Sequence, residues 1–145
     1  MNPRCGVRRV QVLTEATKIS GDLRSAREHA VAADARTLLE STTVPIFRDI
    51  GDRWGLAFAL CALGDALVTE CRLDEASAAY DEALGISHAL NDRYGIGSSY
   101  ARSAVLAAAR GDAERTASFS GPADELFREI GGALGPSGVE HLTRL

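Results

Sequence analysis

The chain has 145 residues, 25% of them charged, and a formal net charge of −4. That length suits one domain, and an acidic balance is a poor match to nucleic acid, which calls for clustered basic surface. No apolar run approaches the ~18 residues that a membrane span needs, so neither a nucleic-acid nor a membrane partner is expected. Residues 1–6 read as irregular. Val7 to Ile19 carries Val10, Leu13 and Thr17 on one helical face, and Ser20-Gly21-Asp22 reads as a break and a helix start. Asp22 to Leu39 is helix-prone and reads in two ways. It is one helix with Leu23, Ala26, Ala30 and Ala33 on a face, or it turns near Ala33-Asp34 so that Ala35 opens a second helix. The second reading is preferred, because Ile46 and Ile50 then match Ile86 and Leu90 forty residues later. Pro45 must kink or restart that helix.

The clearest stretch begins and ends on one phrase. Ile50-Gly51-Asp52-Arg53-Trp54-Gly55 returns as Leu90-Asn91-Asp92-Arg93-Tyr94-Gly95. Leu56, Leu60, Leu63 and Leu67 fall at i, i+4, i+7 and i+11, an apolar stripe on a helix. Leu73, Ala76, Tyr80, Ala83, Ile86 or Ser87, and Leu90 make a second stripe. Cys71-Arg72-Leu73-Asp74 is short enough to force an antiparallel hairpin. Gly64 and Ala76 are small where the two helices should approach most closely. Arg48 with Asp52, and Asp49 with Arg53, are spaced as i,i+4 pairs. Ile96, Tyr100, Ser103 and Ala107 repeat the first stripe, Gly111-Asp112 is a turn, and Ala123, Leu126 and Ile130 repeat the second. Pro45, Gly85 and Gly121-Pro122 fall at one height in three outer helices, where bends are expected. The pattern stops at the Gly131-Gly132 junction.

The order Leu60, Leu63, Gly64, Leu67, Ala76, Tyr80, Ala83 resembles the tetratricopeptide repeat. The forty-residue spacing resembles its extended variety, found in G-protein-modulator scaffolds and in the helical domains of bacterial transcription regulators. The resemblance covers residues 35–131 and implies an all-α, right-handed superhelix of about two and a half hairpins. Residues 1–34 then form N-terminal helices and 132–145 a cap or tail of one domain. It implies a concave groove lined by Phe58, Cys61, Ala62, Asp65, Val68 and Thr69, then Ser98, Ala101, Arg102, Val105, Ala108 and Ala109. Dedicated peptide binders of the family hold asparagines at the places of Ala62, Asp65, Arg102 and Val105, so this groove is less polar and suited to another helix. Arg102 is its one strong cation and Asp65 its one acid, so an acidic group on a partner is expected near Arg102.

No constellation of catalytic residues is evident. Gly95-Ile96-Gly97 and the glycines from 131 to 138 follow no strand and lack a phosphate-loop signature. His29, His88 and His141 have no metal-ligand spacing, and His88, aligned with Arg48 and Arg128, reads as exposed. Asp74-Glu75 and Asp81-Glu82 read as a solvated helical face. Cys5, Cys61 and Cys71 are odd in number, without a CxxC pair or a secretory segment, which favours the reducing cytoplasm. The expectation is a non-enzymatic protein-interaction module without cofactor or metal, an adaptor or part of a regulatory or signalling protein. Its partner is a protein or peptide, and a homodimer is expected because a short stack exposes its ends. The competing readings are a small helical enzyme using Cys61 or Asp65, and a structural self-association unit.

Overall fold

The computed structural model describes residues 18–134, with side chains described for 28–131. Every regular element among them is helical: α1 (Lys18–Leu38), a π-helical turn (Leu39–Thr43), α2 (Val44–Ile50), α3 (Arg53–Thr69), α4 (Leu73–Ala89), α5 (Arg93–Ala109) and α6 (Ala113–Leu134). The helices pack as the pairs α3–α4 and α5–α6. The α4–α5 contact joins the pairs, and α1 and α2 lie on α3.

The helices from α3 onward start at residues 53, 73, 93 and 113, so the chain keeps a step of twenty, half the repeat visible in the sequence. Its physical origin is the turn. Gly51, Cys71, Asn91 and Gly111 all adopt left-handed backbone, at φ of 74°, 61°, 53° and 75°. At the last three the N–H groups of Arg72, Asp92 and Asp112 reach back to the carbonyls of Leu67, Ser87 and Ala107 at 2.9, 2.9 and 3.0 Å. These are Schellman closures, which satisfy helix-end carbonyls and require a residue that tolerates positive φ. Asp52 and Asp112 then cap the next helix, accepting from the N–H of Gly55 and of Arg115 at 2.9 Å each.

The core is one cluster centred on α3 and α4. Leu56, Leu60, Leu63 and Leu67 are buried, as are Ala76, Tyr80, Ala83 and Ile86. The expected hairpin forms with its small residues at the contact: Ala76 is buried, and a Cβ added to Gly64 would stand 2.3 Å from Tyr80 Cε1. Four large side chains of one helix stripe stabilise the pair by about 1.5–3 kcal/mol each relative to exposure.

Several sequence expectations are corrected. The helix runs unbroken through Ser20-Gly21-Asp22 and through Ala33-Asp34, so neither break exists. Neither site combines a strong breaker with a competing partner for the backbone. The irregularity comes instead at Leu39–Thr43, where the helix widens into a π turn just before Pro45 in the first turn of α2. Pro45 has no N–H to donate and its ring crowds the carbonyl four residues back, and a widened turn relieves that crowding. Ile46 and Ile50 are exposed, unlike Ile86, because the backbone of α2 packs on α3 and not on α4, while α4 packs on both α3 and α5. Leu90 is also exposed. Arg48 pairs with Glu82 at 2.8 Å and Asp52 caps α3, so the expected i,i+4 pairs across Gly51 do not form. The left-handed turn at Gly51 takes the two sides off a common helix face. The last helix passes through Pro122 and continues beyond Gly131 to Leu134. Expectations for Val10, Leu13 and residues 135–145 lie outside the described residues.

Candidate functional site

Three helices bring polar side chains to one point. Asp65 lies one turn before the end of α3, Tyr80 sits mid-way along α4, and Arg102 occupies the middle of α5. Arg102 Nε donates to both Asp65 oxygens, at 3.0 and 3.1 Å, and Tyr80 Oη donates to Asp65 Oδ1 at 2.6 Å. Arg102 Nη1 also donates to Ser98 Oγ, one turn earlier on α5. One carboxylate therefore ties together α3, its hairpin partner and the next hairpin.

Electrostatics follow burial. Burial and then the Asp65 carboxylate push the Tyr80 hydroxyl far above its ordinary range, so it stays protonated and donates to Asp65. Burial pulls the Arg102 guanidinium down, but the Asp65 charge and hydrogen bond outweigh it, and its pKa rises. Asp65 is half exposed and Arg102 a third exposed, so the ion pair is worth only about 0–1 kcal/mol in solvent. Its effect is to fix geometry and to cancel charge. Cys61 lies behind the pair, its Sγ 3.9 Å from Ser99 Oγ. Burial raises its thiol pKa, and Arg102 and Ser99 offset this only in part.

Around this neutralised centre the remaining expected groove residues divide. Phe58 on α3 is 75% exposed and Val105 on α5 is 47% exposed. Trp54, one turn before Phe58, is exposed as well, although the sequence reading did not single it out. Ala62 and Thr69 face α1 across an open wedge, and Thr69 Oγ1 donates back to the Asp65 carbonyl at 3.1 Å. Ala101 and Ala109 are half-buried and Ala108 is exposed. Val68 and Cys61 are half-buried and pack against the core cluster, on the flank of α3 that turns inward.

Arg102 is not free to await an acidic group, because Asp65 already holds it. The sequence reading named both residues but missed Tyr80, which it treated as core. A signal was present: a phenol on a buried stripe needs a partner for its hydroxyl. The carboxylate pairs lie on an exposed face, as expected, and three of their four members also hold surface ion pairs. Asp74 pairs with Arg110, Glu75 with Arg72 and Glu82 with Arg48. His88 is exposed, its ring edge toward Tyr100 at 6.3 Å between centroids. Among the described residues no cluster of three metal-binding side chains exists, and no helix is long and apolar enough to cross a membrane.

Comparison with protein-family models, with curated proteins and with solved structures finds no match to this chain. At the level of class, the structure defines an all-helical protein of packed helix pairs.

Proposed function

We propose that the chain is a protein-interaction module of tetratricopeptide-like design, its hairpins stacked as a right-handed superhelix with α3 and α5 on the inner face. The carrying observation is the surface those two helices present. Exposed Trp54 and Phe58 share α3 with Asp65, and exposed Val105 shares α5 with Arg102, beside an Asp65–Arg102 pair that satisfies its own charge. Such a surface offers apolar anchors and little unpaired charge, so its partner is the apolar face of a helix rather than an acidic peptide. The raised pKa of Cys61 supports the non-enzymatic reading, since a thiol held protonated is a weak nucleophile.

The test is a selection from displayed amphipathic helical peptides, followed by calorimetry on the winners. Phe58→Asp weakens their binding more than tenfold while circular dichroism stays unchanged. Equal binding by the variant places the partner surface elsewhere.

A further inference from the structure

The inner row of α3 is half occupied by the chain itself. Trp54 and Phe58, on its first two turns, are open to solvent. Further along the same helical row, Ala62, Asp65 and Thr69 line a wedge of about 590 Å³. The facing wall is Val31, Ala32 and Ala35 of α1. These three fall at i, i+1 and i+4, so α1 turns the apolar side of a helix toward α3. The fit is loose, and Val31 stays 61% exposed. Apart from the π turn that follows it, the backbone of α1 meets only α3 among the described residues. Beside the wedge the tie is polar: Arg36 Nε donates to Glu70 Oε2 at 2.5 Å, and Arg72 lies 3.7 Å from the same oxygen. No residue of the π turn is fully buried, so a bend there uncovers little of the core, and π turns are common places for helices to bend.

We propose that α1 is an autoinhibitory strap. Its Val31–Ala35 face sits over the second half of the α3 row, is latched by Arg36 on Glu70, and swings out about the π turn when a partner helix lies along α3. This regulation rests on the reading of α3 and α5 as the partner surface. Length makes the two occupants exclusive. From Trp54 to Thr69 the row is about 22 Å long at ~1.5 Å per residue, and its uncovered end, Trp54 to Phe58, is about 6 Å. A partner using the whole row must displace α1. Packing favours the exchange, because α1 offers only valine and alanine side chains to Ala62 and Ala66. A helix with leucines at that spacing fills space that α1 leaves empty.

The experiment uses the full chain and a synthetic amphipathic helix of leucine and glutamine, uncharged and long enough to span α3, titrated by calorimetry. Glu70→Gln removes the latch without altering the wedge lining, and leaves Arg36 with Glu40 and Arg72 with Glu75. It tightens probe binding about threefold or more, within the range of a partly exposed ion pair. Ala35→Leu, on α1 alone, fills the wedge from the strap's side and weakens the probe by a similar factor. Hydrogen exchange reads the strap directly. Amides 30–38 lose protection in Glu70→Gln while α4 to α6 are unchanged, and they lose it in the parent when the probe is added. If Glu70→Gln leaves 30–38 as protected as in the parent, there is no latch and the strap is refuted with no reference to a partner. Binding that Phe58→Asp abolishes, with 30–38 still protected in the complex, keeps α3 as a partner surface and refutes the strap. An Ala35→Leu variant that binds as well as the parent refutes it too. Binding indifferent to Phe58→Asp, or absent from both the parent and Glu70→Gln, removes the partner surface itself and the strap with it.

Discussion

Gly64→Ala tests the closest contact in the core. A helix interior ordinarily favours alanine over glycine by about 1 kcal/mol. Here the added Cβ falls 2.3 Å from Tyr80 Cε1, 2.7 Å from Cδ1 and 2.9 Å from Cζ. The ring cannot step aside cheaply. It is 3% exposed, and its hydroxyl is tethered to Asp65 at 2.6 Å. Overpacking of this kind costs about 1–3 kcal/mol, and drawing the hydroxyl off Asp65 adds about 1 kcal/mol. Subtracting the propensity gain leaves a net loss of about 1–3 kcal/mol, and Gly64→Leu loses more. At about 2–4 °C per kcal/mol for a chain of this size, Tm falls by roughly 2–12 °C. Gly85→Ala is the matched control: it is helical and exposed, with nothing within 4 Å of an added Cβ, so it gains up to about 1 kcal/mol. Thermal melts by circular dichroism decide the matter. If Gly64→Ala melts at or above the parent, the two helices do not meet where the structure places them.

Leu63→Ala opens a cavity in the cluster and costs about 2–5 kcal/mol by denaturant titration. Ser103→Ala, forty residues on, costs far less because only a hydroxyl is removed. Cys71→Gly relieves a non-glycine residue at φ 61° and raises stability by up to about 1 kcal/mol; a lower Tm would show the turn to be unstrained. Tyr80→Phe loses about 1 kcal/mol and releases Asp65, seen as looser α3–α5 protection in hydrogen exchange. Cys61 has its folded pKa raised. The native state therefore keeps its proton above the pH at which the unfolded thiol ionises, and stability falls as pH rises through and beyond the ordinary cysteine range. Alkylation of Cys61 in a variant lacking Cys5 and Cys71 accordingly accelerates only above that range, and rapid labelling at neutral pH contradicts the buried, protonated thiol.

The helical class, the α3–α4 hairpin and its buried stripes are dictated locally. Leu56 to Leu67 and Ala76 to Ile86 carry a helical period that no sheet could bury, and a three-residue link leaves only an antiparallel return. The glycine at position 64 also announced a close contact, because its cost in a helix must be offset by packing. The twenty-residue step was less visible, since Gly51, Cys71, Asn91 and Gly111 share a backbone conformation rather than a side chain. Cys71 in particular gives no sequence signal of positive φ. The polar centre needed tertiary structure for a different reason. Asp65, Tyr80 and Arg102 lie fifteen and twenty-two residues apart along the chain, and only the stacking of α5 on α3 turns a lone acid and a lone base into a mutually satisfied pair. The path of α1 was decided the same way. Local propensity allows a turn at Ala33-Asp34 or a continuous helix, and with no strong breaker there the unbroken hydrogen-bond ladder prevails, leaving the wedge beside Ala62 open.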